Sequence, residues 1–322
     1  MTDQSTARTN LIGIACAIGA SMFFSINDML IKFLSGDYAL HQIVLIRAVI
    51  GLSLLLIFIV PFEGGFKILH TKHLKIQLLR GLSVVFANMA YFAALAAMPL
   101  ADAAAIWFVS PLIITAFSVL FLGEKVGPRR WAAVGLGLLG VIIMLRPGSH
   151  SFQLAALLPL VSALAYAFLQ IMTRKIGVSE KAATSSVYTQ LAFIVISTGM
   201  GLAFGHGQFA GSGDASIDFL FRAWVVPAPK DYGIFFLIGL GSGLGGYLIT
   251  QAYRIAEAGL AAPFEYSAMP MAIVWGIVVF HQSPDLIGWI GIALIVGAGL
   301  YTFAREAAIG RRAMRKQPQT RL

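Results

Sequence analysis

Residues 93–121 (AALAAMPLADAAAIWFVSPLIITAFSVLF) return in altered form at residues 252–280 (AYRIAEAGLAAPFEYSAMPMAIVWGIVVF). An offset of 159 positions pairs Ala97 with Ala256, Trp107 with Tyr266, Pro111 with Pro270 and Phe121 with Phe280. Each copy reads as a short polar turn followed by an apolar helix, with an aromatic residue near its start and a proline near its middle. Such a proline costs about 3 kcal/mol inside a soluble helix. In a membrane bundle the freed backbone groups can instead face a cavity or a solute. The chain therefore reads as two related halves, each placing a broken helix at mid-membrane.

Apolar runs of roughly 20 residues are the unit that spans a bilayer. Ten occur, at 11–33, 41–61, 76–98, 103–122, 130–146, 153–173, 186–204, 232–253, 261–280 and 286–304. Composition agrees: 58% of the residues are hydrophobic and 11% charged, against about 25% charged in a soluble domain. Residues 1–10 are polar, and the run that follows is long enough to stay as the first span rather than be cleaved. The segment 305–322 is a basic tail suited to anionic lipid.

The net charge of +9 is a matter of orientation and not of nucleic acid. With the N-terminus in the cytoplasm, 18 of the 23 Lys and Arg fall in cytoplasmic loops and the tail, four fall outside, and Arg47 lies within the second span. That bias supports ten spans with both termini in the cytoplasm. Five spans separate each element from its echo, so the second copy crosses in the opposite direction. The basic loop at 124–130 has a counterpart at 281–285 with no Lys or Arg, as an inverted-topology repeat requires. The expected fold is an all-α membrane protein: ten transmembrane helices in two inverted five-helix repeats, 11–146 and 153–304, around a central cavity.

The run 80–144 (RGLSVVFANMAYFAALAAMPLADAAAIWFVSPLIITAFSVLFLGEKVGPRRWAAVGLGLLGVIIM) resembles the EamA-type unit of the drug/metabolite transporter superfamily. APFEYSAMP at 262–270 and GWIGIALIVGAGLY at 288–301 resemble its partner unit. The resemblance implies two inverted five-helix units that carry small metabolites, among them amino acids, nucleosides, vitamins and S-adenosylmethionine-like compounds. One departure stands out. The Gly123–Glu124 pair that ends the fourth run is replaced after the ninth by His281–Gln282.

A charge at the bilayer centre costs about 3 kcal/mol on insertion scales, so ionisable residues inside spans are candidates for function. Asp28, beside Asn27, and Arg47 lie at similar depth. They can form a neutralising structural pair, or Asp28 can engage a substrate amine or a coupling proton. Glu265 sits early in the ninth run, next to Tyr266. Arg254 can neutralise it across the interface, or it can face the cavity and carry a proton. Aromatic residues with polar tips recur where the spans should converge: Tyr91, Trp107, Tyr166 with its neighbour Gln170, Tyr253 and Tyr266. Such a wall suits planar or cationic solutes. Asn88, Ser110 and Gln251 add polar groups that are costly against lipid. Arg47 and Arg254 apart, these twelve residues form the expected substrate-binding set.

No enzyme motif is present. Gly241, Gly243 and Gly246 match the dinucleotide fingerprint in form only, because no soluble strand precedes them; helix packing explains Gly239, Gly243 and Gly246 better. Cys16 stands alone, and of the six histidines only His70 and His73 have helical ligand spacing, so neither a cofactor nor a metal is expected. The resulting expectation is a secondary transporter of the cytoplasmic (inner) membrane, working by alternating access on a small polar or aromatic metabolite, with protons as candidate co-substrate. The sequence leaves monomer and homodimer open. The competing readings are a lipid or lipid-linked headgroup flippase and an intramembrane transferase.

Overall fold

The computed structural model describes residues 2–123, 127–147, 154–256 and 262–316. The Glu124 of the Gly-Glu pair lies outside them. The described residues form helices without strands: α1 (Thr2–Leu34), α2 (Leu40–Leu54), α3 (Leu74–Ala97), α4 (Leu100–Trp107), α5 (Ser110–Leu122), α6 (Pro128–Leu145), α7 (Leu157–Ile176), α8 (Ala182–Phe204), α9 (Ala215–Phe221), α10 (Tyr232–Ile255), α11 (Ala268–Val278) and α12 (Leu286–Lys316). Seven spans among the described residues are long and apolar enough to cross a membrane. Trp131–Leu145, Phe264–Val278 and Leu286–Tyr301 are shorter apolar helices. All-helical structure follows from the solvent: in hydrocarbon each backbone N–H and C=O must find its partner within the chain, and helices satisfy them locally.

Local residue chemistry sets the ends. Met98, which precedes Pro99, is extended (φ −140°, ψ 162°) and stops α3. Gly123 closes α5 in the left-handed region (φ 70°). Pro128 opens α6 in its first turn, where a missing N–H costs nothing. Past Leu54, α2 runs through a π-helical stretch, Leu55–Ile59, to Glu63.

The two prolines of the repeated stretch act differently from the expected mid-helix break. In the first copy the helix stops at Trp107 and resumes at Ser110, so Pro111 lies in the first turn of α5. In the second copy a 3₁₀ segment, Ala262–Ser267, leads into α11, and Pro270 again sits in the opening turn. The breaks precede the prolines. The prolines then start the next helix, the position in which their fixed φ is tolerated.

Helices close up where side chains are smallest. A Cβ built on Gly51 of α2 would lie 3.2 Å from the carbonyl oxygen of Gly239 and from the amide nitrogen of Gly243, both on α10. This is the close approach expected of Gly239 and Gly243. Gly246 has open space instead and lines a cavity, a correction to its expected packing role.

The connection between α8 and α10 is packed as well. Asp214 caps α9 by accepting from the amides of Ser216 (2.9 Å) and Ile217 (3.0 Å), a cap that contributes about 1 kcal/mol. Phe219 is fully buried, Trp224 stacks on His41, and the Ser216 hydroxyl donates to the carbonyl of Ala93 at 2.8 Å.

Candidate functional site: a cavity between the helices

Helices α1, α2, α3, α4, α7, α8, α10 and α11 and the 3₁₀ segment surround a cavity with about 1190 Å³ of atom-free space, counting the part open to solvent. Of the twelve expected residues, Asn27, Asp28, Asn88, Tyr91, Trp107, Tyr166, Gln170 and Glu265 line it. Ser110, Gln251, Tyr253 and Tyr266 do not, although Tyr253 touches the cavity's Glu265. The Ser110 hydroxyl is wholly buried at the start of α5. Mostly apolar walls with a few convergent polar groups are the ordinary make-up of a small-molecule site.

An aromatic wall occupies one side. The ring centroids of Tyr91 and Trp107 are 6.0 Å apart, and those of Trp107 and Tyr166 are 4.8 Å apart. Three helices contribute these rings: α3, α4 and α7. Tyr91 also hydrogen-bonds Asp28, and Tyr166 hydrogen-bonds Gln170.

Glu265 is 3% exposed and is held by tyrosines. The Tyr166 hydroxyl donates to its Oε2 at 2.6 Å, and the Tyr253 hydroxyl donates to its Oε1. Arg254, the expected neutralising partner, turns elsewhere. Its Nε donates to Gln251 Oε1 at 3.0 Å and its Nη1 to the carbonyl of Glu180 at 3.4 Å. Hence Gln251, expected in the cavity, orients Arg254 instead. Tyr266 likewise serves as a brace: its hydroxyl donates to the Phe108 carbonyl at 3.0 Å and its ring stacks on Phe108 at 5.5 Å. That carbonyl belongs to the break between α4 and α5, so a backbone group expected to face the solute is already satisfied.

The expected Asp28–Arg47 ion pair does not form. Arg47 Nη2 donates to Asn88 Oδ1 at 2.7 Å and Nη1 reaches Asn27 Oδ1 at 3.5 Å, while Asp28 bonds Tyr91. Phe92 and Phe193 lie 5.0 and 4.7 Å from the guanidinium carbon, within cation–π range.

Sequence reasoning missed the end of the cavity at Arg80. This arginine lines the cavity, is 2% exposed, and donates through Nε to Thr173 Oγ1 at 2.9 Å and through Nη1 to Gln77 Oε1 at 2.8 Å. Gln77 Nε2 donates to Glu180 Oε2 at 2.5 Å and to Ser185 Oγ at 2.9 Å. Glu180 Oε1 also accepts from the Thr71 hydroxyl and from the backbone N–H groups of Lys72 (3.1 Å) and His73 (3.3 Å). Partial burial pushes the Glu180 carboxyl up, but the Thr71, Gln77, His73 and Lys72 donors outweigh it and hold the group below its ordinary range. Nearby, Thr184 and Tyr188 donate to the carbonyls of Ile68 and Leu69. One signal was available: Arg80 lies inside the apolar run 76–98, where a charge needs partners.

Comparison with known proteins follows the same lines. Residues 11–146 match the EamA-like transporter family. A riboflavin transporter of Rhizobium johnstonii is 33% identical over 217 residues, covering 67% of this chain and 66% of that protein, just under two thirds of its length. An S-adenosylmethionine uptake transporter of Rickettsia prowazekii is 24% identical over 93% of this chain and 95% of its own. A solved crystal structure superposes with a TM-score of 0.67 at 19% identity, covering 94% of this chain and 98% of that one, which speaks to fold alone. On these matches residues 11–146 form an EamA-like transporter unit, and the chain as a whole is similar to small-metabolite transporters.

Proposed function

We propose that this protein is a secondary transporter that moves a small polar or aromatic metabolite through the cavity by alternating access. In this reading residues 11–146 and 153–304 are the two inverted five-helix units and both termini are cytoplasmic, in the inner membrane. The single observation that carries it is the cavity itself: aromatic rings, hydrogen-bonding groups and buried charge drawn from both halves of the chain, bounded at one end by the Arg80–Gln77–Glu180 network. In this reading that end faces the cytoplasm, an orientation that the charge bias supports. Its bonds join the 71–73 loop and α3 to α7, the 180 loop and α8, so they must part for a solute to leave on that side. Glu265, between two hydroxyls that can donate or accept, is the group suited to carry a coupling proton. The relatives' names supply the solutes to try first.

The test is flux in vesicles reconstituted with the purified chain, using S-adenosylmethionine and riboflavin as probes. Saturable movement of either probe without chemical change is expected. Exchange of labelled phospholipid between leaflets without solute flux would replace the reading with a flippase, and conversion of the probe would replace it with an enzyme. Cysteines exchanged for Thr71 and Glu180 and then cross-linked should abolish flux, and reduction should restore it.

A further inference from the structure

We infer that Arg47 anchors an anionic oxygen group, a carboxylate or phosphate ester, of the transported solute. This rests on the transport reading above and deepens it. Four charged side chains line the cavity, and three have their bonding directed to protein. Glu265 takes two tyrosine hydroxyls, Arg80 gives to Thr173 and Gln77, and Asp28 bonds Tyr91. Arg47 differs.

Arg47 is 3% exposed, yet the hydrogen bonds its guanidinium makes go to two neutral amides, one of them at 3.5 Å. Nε has no partner. A buried arginine is stabilised by a carboxylate or phosphate that accepts from its fork of N–H groups, and no carboxylate of the described residues touches this one. Asp28 lies near enough to act on it through space but spends its hydrogen bond on Tyr91. Asn27 is fixed in turn: its Nδ2 donates to the Ile238 carbonyl at 2.9 Å, which leaves its oxygen for Arg47. Phe92 and Phe193 restrain the guanidinium without offering it an acceptor.

Two more polar atoms on the cavity-lining residues, Gln190 Oε1 and Ser25 Oγ, are buried without partners. Gln190 uses its Nε2 on Ser242 Oγ at 3.2 Å, so its oxygen is left to accept. An oxyanion at Arg47 would supply the acceptor that Nε lacks. The aromatic wall begins at Tyr91, next to Phe92, so a ring carried by that solute has a surface to stack on.

Matched probes test the inference on the purified full chain. Riboflavin and its 5′-phosphate differ by a phosphate ester; S-adenosylmethionine and its carboxyl methyl ester differ by a free carboxylate. Binding by calorimetry should favour the oxyanion-bearing member of at least one pair by about tenfold or more, the size expected for a charge-assisted bond. The pair that discriminates names the group. Arg47→Gln should bring the two members to equal affinity, and Arg47→Lys, which keeps the charge without the fork, should retain part of the preference and covers the case in which the glutamine variant does not fold. Equal binding within both pairs, failure of both pairs to bind, or a loss in Arg47→Gln that is the same for both members would overturn the assignment and leave Arg47 a purely structural group. Transport fails separately: if a bound probe does not cross the vesicle membrane, the carrier reading is wrong while the anchor at Arg47 stands.

Discussion

The two copies of the repeated stretch keep their spacing and exchange their chemistry. In the first, an α-helix runs from Leu100 to Trp107 and delivers the Trp107 ring to the cavity. In the second, the counterparts of residues 103–108 form the 3₁₀ segment Ala262–Ser267, and Tyr266, the counterpart of Trp107, turns away to brace Phe108. Glu265, one residue earlier, enters the cavity where the first copy has the buried Ile106. The geometry of the two helix types accounts for the exchange. An α-helix turns about 100° per residue and a 3₁₀-helix about 120°, so five residues of 3₁₀ swing a given position by about 100° relative to its twin. Equivalent residues in a repeat therefore need not face the same way, and a change of helix type is enough to turn one copy into an aromatic wall and the other into a carboxylate site.

The strongest way to break this contrast is to remove the carboxylate. Glu265→Ala strands two buried tyrosine hydroxyls at a cost of about 1–3 kcal/mol each, which should show as a large drop in unfolding temperature in detergent and loss of flux. Glu265→Gln keeps the shape and an acceptor but cannot titrate, so it should fold and lose the pH dependence of transport. Flux with unchanged pH dependence would remove Glu265 from any proton step.

A smaller effect is expected behind the brace. A Cβ on Gly299 would stand 2.1 Å from the Tyr266 ring. Because that ring is buried and stacked, Gly299→Ala should destabilise by about 1–3 kcal/mol through overpacking. Tyr266→Ala in the same chain should relieve the added clash, giving a double-mutant coupling well away from zero.

The smallest is Tyr266→Phe, which keeps the ring and deletes the hydrogen bond to the Phe108 carbonyl. About 1 kcal/mol of stability should be lost, with solute affinity unchanged. A change in affinity equal to that of a Trp107 variant would erase the distinction between the copies.

Much of this was legible in the sequence, and what was not has a physical cause. Apolar run length and the echo of 93–121 identified the helices because a membrane permits few alternatives to them. Asn27, Asp28, Asn88, Tyr91, Trp107, Tyr166, Gln170 and Glu265 could be gathered as cavity residues since a polar group inside an apolar run is costly against lipid. Direction was the hidden quantity. An α-helical phase carried through the second copy would send Tyr266 inward, and nothing in APFEYSAMP announces a 3₁₀ turn. Partner choice was hidden too: Asp28 and Arg47 share a depth, but two neutral amides and a tyrosine hydroxyl, contributed by α1 and α3, separate them. The Arg80–Glu180 network joins residues about a hundred positions apart, and no local pattern encodes it.

Lys32, near the end of α1, gives its ammonium to the carbonyls of Leu95 (2.5 Å) and Met98 (2.7 Å), where α3 stops at Pro99, and lies 5.4 Å from the Phe280 ring. Terminal carbonyls of a helix have no amide of their own to accept from, so this cation supplies what the proline interruption takes away. Pulling the first rod from the third would leave an ammonium and two carbonyls bare together in hydrocarbon. The pair is thereby fastened at that tip like the riveted end of a pair of tongs, and whatever swing the first half makes must open from the other end of its handles.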